Sequence, residues 1–146
     1  MAITSAIANR FKQEILEAEH NFTASTGNTF KIALYTSSAT LSASTTAYSS
    51  SNEITNSSGT AYTAGGASLT SVTPTLDSST AVCDFSDVSW TSASFTANGC
   101  LIYNDSHSTD AAVCAVAFGG DKTVSSGTFT IQFPAAAATT AIVRIA

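Results

Sequence analysis

Charge is what this sequence has least of. Asp, Glu, Lys and Arg together make up 10% of the chain, against about 25% in an ordinary globular domain. Cations are the scarcest, with three lysines and two arginines in a chain of net charge −5. Neutralising phosphates takes clustered Lys and Arg, so the deficit argues against nucleic acid as a partner. It argues equally against an anionic membrane surface.

Metal-binding and redox motifs are missing as well. Cys83, Cys100 and Cys114 cannot all pair within one chain, no C-x-x-C occurs, and histidine is limited to His20 and His107. Too few ligands stand at the right spacing for structural zinc, and free buried thiols in a reducing compartment are expected. No transmembrane run is present, and "MAITSAIANRFKQEILEAEH" turns charged where the apolar core of a signal peptide would continue. The sequons Asn21-Phe22-Thr23 and Asn56-Ser57-Ser58 therefore carry no expectation of glycosylation.

Serine and threonine fill the gap. Apolar residues make up 44% of the 146 residues, enough for one domain with one real core. A surface wetted by hydroxyls and poor in charge resembles the composition of an interface core, which suits a protein that lives packed against others.

The spacing of Ile3, Ile7, Phe11 and Ile15, with Leu16 and Ala18 widening the stripe, predicts one N-terminal amphipathic helix within residues 1–22. It would run about 25 Å and stop near Asn21. Residues 23–146 read as strands. "TFKIALYT" alternates, with Phe30, Ile32 and Leu34 on one face. The polar stretch at about 40–69 is too long for a featureless loop. It is expected to be an ordered excursion pinned by Tyr48, Ile54, Tyr62 and Leu69, with Gly65-Gly66 allowing a turn or a close approach. Pro74 marks an edge or bend, Leu76–Ser79 a turn, and Gly119-Gly120-Asp121 another turn. Phe129, Ile131 and Phe133 face inward before Pro134, and "TAIVRIA" closes the domain. About seven or eight strands at turn-separated spacing predict a mainly β fold. The expected architecture is an antiparallel β-sandwich, immunoglobulin-like or jelly-roll. Its core would hold Phe30, Ile32, Leu34, Phe85, Val88, Trp90, Tyr103, Phe118, Phe129, Ile131 and Phe133.

The stretch most like chemistry is "CDFSDVSW", residues 83–90. Asp84 and Asp87 form a lone D-x-x-D with no glycine to fold a calcium loop. Cys83 and Phe85 share one strand face, and Val88 and Trp90 share another of opposite parity. One extra residue at Ser86-Asp87, as a bulge or a corner between sheets, repairs the mismatch without a ligand. Asp87 would then bond local backbone N–H groups. His107 lies in the polar "NDSHSTD", read as an exposed turn, and no G-x-S-x-G elbow supports a hydrolase triad. His20 is placed in the last helical turn, where partial positive charge suits the dipole. Tyr35, Tyr48, Tyr62, Trp90 and Tyr103 could furnish a sugar-stacking platform. Trp90 and Tyr103 are expected to fill the core instead, leaving Tyr48 and Tyr62 for an interface. No catalytic, cofactor or metal residue is expected.

The segments "FKQEIL", "HNFTASTGNTFKIALYTSSATL", "YTAGGASLTSVTPTLD", "DFSDVSWTSASFTANGCLIYN", "FGGDK" and "GTFTIQFP" resemble, through nearly the whole chain, a family of small virion structural proteins of tailed bacteriophages, marine ones in particular. The resemblance implies a part of the particle and supplies no catalytic residues. Within the particle, a small, acidic, Lys-poor β-domain with a terminal helix suits a capsid decoration (cement) protein on the outer surface of the virion, assembled in the host cytoplasm. Its partners would be the major capsid protein, or other virion proteins, and copies of itself. A tail, connector or fibre-associated role and a carbohydrate-binding or adhesin module are the alternatives. The contact residues expected are Ile3, Ile7, Phe11 and Ile15 on the helix, and Tyr48, Ile54 and Tyr62 on the excursion. The helix could equally pack on its own domain or reach a neighbour.

Overall fold

The computed structural model describes residues 1–55 and 59–146, so the sequon at Asn56 lies outside the described residues. The chain forms two antiparallel sheets in a sandwich-like arrangement with one short helix. In chain order the elements are β1 (Ala6–Ile7), α1 (Asn9–Leu16), β2 (Phe30–Tyr35), β3 (Ala67–Ser68) and β4 (Ser71–Asp77), then β5 (Thr80–Phe85), β6 (Val88–Asn104), β7 (Ala111–Ile131) and β8 (Val143–Ile145). The larger sheet has the order β1-β7-β6-β2-β3 and the smaller β4-β5-β8. Phe85 of the small sheet meets Phe30 of the large one at 5.9 Å between ring centroids.

The N-terminal prediction is corrected. The helix is 8 residues long, about 12 Å, and what precedes it is strand. Ala6 and Ile7 pair with Ala115 and Cys114, and Ile3 bridges to Leu41. A spacing of four is also an even number, so it places Ile3 and Ile7 on one face of a strand as readily as on one face of a helix. Partner strands decide between the two. Ile3 also fills the space beside Gly99, where a Cβ would stand 2.8 Å from two of its carbons. Residues 1–22 are thus built into their own domain. The helix stops in a Schellman arrangement, with Glu19 N–H donating to Glu14 O and Ala18 N–H to Ile15 O. Ala18 takes the left-handed position, at φ 60°.

β6 and β7 form one long hairpin, and its inner half is the middle of the large sheet. The turn expected at Gly119-Gly120-Asp121 is instead a bulge inside a continuous β7. Ala97 pairs with Lys122 and Gly99 with Ala117, so the intervening residues loop out of register. Both glycines have positive φ, and Asn98 Nδ2 donates to Asp121 Oδ1 at 2.9 Å to pin the bulge. Pro74 does lie in an edge strand, at a register irregularity between Val72 and Thr75. Asp77 pairs with Thr80 across a two-residue turn.

Phe30, Ile32, Leu34, Phe85, Trp90 and Tyr103 are buried in the core, while Val88, Phe118, Phe129, Ile131 and Phe133 pack against it half-buried. Phe22, just after the helix, is a core residue the pattern missed. It stacks on Phe30 at 4.2 Å and 6°. No helix among the described residues is long and apolar enough to cross a membrane.

Two stability measurements check this picture. Ile3→Ala should cost about 2–4 kcal/mol in a denaturant melt, as a buried large-to-small change does; a neutral result would mean the N-terminal strand does not hold the core. Ala18→Gly should raise stability by about 1 kcal/mol by relieving the left-handed alanine.

Candidate functional site

Two buried polar clusters and a set of surface grooves are the places where this fold gathers chemistry. The first cluster centres on Glu53, the only charged residue between Lys31 and Asp77. Its carboxylate is buried. Oε1 accepts from the Tyr62 hydroxyl at 2.6 Å and from Gly65 N–H at 2.8 Å, and Oε2 accepts from the Tyr48 hydroxyl at 2.6 Å. None of the ion pairs among the described residues involves it. Short charge-assisted hydrogen bonds replace its hydration. The Tyr62 hydroxyl also accepts from Leu34 N–H, and Tyr103 donates to Gly65 O while stacking on Tyr48 at 4.7 Å. Tyr35 donates to Ser49 O.

This arrangement agrees with an ordered excursion pinned by Tyr48, Ile54, Tyr62 and Leu69, and corrects the expectation that Tyr48, Ile54 and Tyr62 serve an interface. Tyr62 and Ile54 are buried, and Tyr48 is half-buried with its ring and hydroxyl both engaged. Ile3 and Phe11 are likewise buried, and Ile7 and Ile15 pack half-buried on the core. The proposed contact set is therefore turned largely inward. Trp90, Tyr35 and Tyr103 are buried too, so these rings offer no exposed platform for a sugar.

Burial first, then the Glu53 hydrogen bond, pushes the Tyr48 and Tyr62 hydroxyls well above the ordinary phenol range. Tyr35 and Tyr103 are raised chiefly by burial. Burial also raises the thiols, Cys83 to about 11 and Cys114 to about 12, with Cys100 pushed up as well. All three cysteines are free. A thiol raised in this way is a poor nucleophile at neutral pH.

The second cluster corrects the reading of both histidines. His20 lies beyond the helix and is buried. Its ring packs on Phe11 at 4.8 Å. Asn104 Oδ1 accepts from Ser106 N–H, which orients the amide so that Nδ2 donates to His20 Nδ1 at 3.1 Å and to Asn28 Oδ1 at 3.2 Å. His20 Nε2–H then donates to Glu14 Oε2 at 2.9 Å, while Arg10 Nε donates to Glu14 Oε1 at 2.6 Å. Burial would raise the Glu14 carboxyl, but the hydrogen bonds from Arg10 and His20 outweigh it and hold it below the usual range.

His107 is not a free surface residue either. It stacks on His20 at 6.0 Å, and its Nε2 lies 2.6 Å from Glu19 Oε2. Its Nδ1 accepts from Thr109 N–H at 3.2 Å and lies 3.0 Å from Thr109 Oγ1. Hydroxyl, imidazole and carboxylate thus line up, but Nδ1 is shared with the backbone N–H two residues on. The contact closes a loop. Glu14, Glu19 and His107 also bring one potential metal-ligand atom each within 4.8 Å of one another. A cation there would have to displace the Arg10 and His20 bonds to Glu14, or the proton that the Thr109 N–H contact keeps on His107 Nε2. The cluster reads as a fastening between α1 and the β6–β7 connection.

"CDFSDVSW" is the corner between the two sheets. β5 ends at Phe85 and β6 begins at Val88. The acceptor role expected of Asp87 is correct in kind but not local, for Oδ1 receives Phe133 N–H at 2.9 Å. Asp84 Oδ1 accepts from Phe85 N–H.

Two outcomes follow from the tyrosine cluster. Because the folded-state values are raised, the protonated phenols contribute stability that is complete below pH ~10 and declines above it. Tyrosinate absorbance should therefore appear together with loss of the folded circular-dichroism signal, at a pH above ~10; a free-phenol titration with the fold intact would contradict this. Glu53→Gln should cost about 2–3 kcal/mol in a denaturant melt, since the amide nitrogen cannot accept from a phenol.

Compared with known proteins, the chain matches no family model, no curated protein and no solved structure.

Proposed function

We propose that this chain is a structural protein of a bacteriophage particle, acting as a capsid decoration protein. In this reading it docks on the outer surface of the head against the major capsid protein and copies of itself. It stabilises the shell by burying apolar area across capsomer junctions, with repeated contacts adding strength.

The supporting observation is the surface. It is charge-poor and hydroxyl-rich, and large apolar side chains stand in solvent on both edge strands of the small sheet. Val72 and Leu76 on β4 are 43% and 73% exposed, and Ile145 on β8 is 55% exposed. Leu16 on α1 is 88% exposed. Such positions fit contacts made only on assembly. The clusters at Glu53 and at Glu14–His20 join elements of the fold to one another, as a structural part requires. The resemblance of nearly the whole chain to tailed-phage virion proteins supports placing it in the particle. Because residues 1–22 are woven into the fold, the contacts shift from the helix stripe to these exposed positions.

Cryo-electron microscopy of the intact particle tests the reading. Density for this fold on the head exterior, at a copy number matching the capsid lattice, is expected. Only a few copies, or density confined to the tail, would overturn the decoration role in favour of a tail, connector or fibre-associated one.

A further inference from the structure

One groove lies where an edge strand of each sheet approaches the other. β1 is one outer strand of the large sheet and β8 one outer strand of the small one. Between β8 and the β1–α1 segment runs a groove of about 310 Å³. Its apolar lining includes Ile7, Phe11, Ile15 and Val143, which continue the core to the surface.

On β8 the groove touches Val143, Arg144 and Ile145 alike. Consecutive strand residues point to opposite faces. A groove bordered by three in a row therefore follows the edge of the strand, where its backbone groups are presented. Among the described residues β8 pairs with β5 alone, so its outer edge has no strand partner. The lip carries Leu16 and Ile145, both exposed, together with Lys12 and Arg144. Two of the five cations of a chain with net charge −5 thus flank one apolar slot. Arg144 has only a 3.3 Å bond to Ala138 O, and Lys12 a 3.2 Å bond to Asn9 Oδ1, so both heads are available to a ligand.

We propose that this groove binds an extended peptide segment of another protein by adding it as a strand to the free edge of β8. Alternate apolar side chains of the segment enter the slot, and acidic residues at its ends meet Lys12 and Arg144. A second copy of this chain is a poorer occupant. Its own exposed apolar edge strand, β4, carries Pro74, which has no N–H to donate to a ladder. The proposal holds wherever the protein resides.

The test uses the full chain and a fluorescent synthetic peptide of alternating isoleucine and threonine with an aspartate at each end. Saturable anisotropy is expected, with the largest amide NMR shifts at Val143–Ile145 and α1. Arg144→Glu should weaken binding on the order of tenfold and reverse the preference toward a lysine-ended peptide. Ile145→Asp should abolish it. Both residues are exposed, and circular dichroism confirms that each variant is folded. Absence of binding at millimolar peptide, shifts confined to β4, or affinity indifferent to the charge of the peptide ends would overturn the proposal. So would a concentration-dependent dimer in light scattering that Ile145→Asp dissolves, because the groove would then belong to a second copy.

Discussion

The fold depends on a buried carboxylate with no cation beside it. Glu53 sits in the excursion between β2 and β3, and its two oxygens take two phenols and one backbone N–H. Moving a lone carboxylate out of water is costly unless hydrogen bonds replace the hydration. Here the replacements come from separate points along the chain, so the carboxylate is satisfied only when the excursion is folded as a unit. Around it the chain is laid against both edges of the sheet. Ile54 N–H donates to Leu34 O beside β2, and Tyr48 N–H donates to Asp110 O beside β7. Gly66 lies so close to β2 that a Cβ there would stand 1.9 Å from Ile32 O. Glycine is required at that position by the packing of backbone on backbone.

A second fastening repeats the principle one residue further along β6, at Asn104 next to Tyr103. Asn104, the last residue of β6, orients His20, which in turn bonds Glu14 on α1. The short helix is thereby tied to the central hairpin by a chain of polar contacts beneath Arg10. Each member is satisfied by the next, which rigidifies such a network instead of leaving it a liability. With the aromatic rings and the four tyrosine hydroxyls largely consumed inside, little is left on the outside except hydroxyls, a few charges and isolated apolar side chains.

Much of the architecture was legible in the residues. The strand at Phe30–Tyr35, the turn before Thr80, the edge character of Pro74 and the corner at Ser86-Asp87 all follow from local alternation and turn chemistry, and the structure has each of them. The candidate contact residues were read less well. Tyr62 and Ile54 pin the excursion as their spacing suggests, but they are not free for an interface as well, because hydroxyl neighbours can satisfy one another around a buried ring. The residue that could have given this away is Glu53, a solitary charge in a long uncharged stretch containing tyrosines. Its burial still rests on Gly65 and Leu34 arriving beside the two phenols, which no local pattern encodes.

The sequence by itself determined a mainly β, antiparallel domain poor in cations, because alternation, turn residues and charge content are properties of neighbours along the chain. Tertiary structure alone decided whether Ile3 and Ile7 take helical or extended backbone, because a four-residue spacing satisfies both periods and only their partners, Leu41 for Ile3 and the edge of β7 for Ile7, select one. It alone decided that the glycines at 119 and 120 form a bulge and not a turn, because β6 continues opposite them. It also decided which apolar residues remain outside, because exposure is set by what the rest of the chain covers.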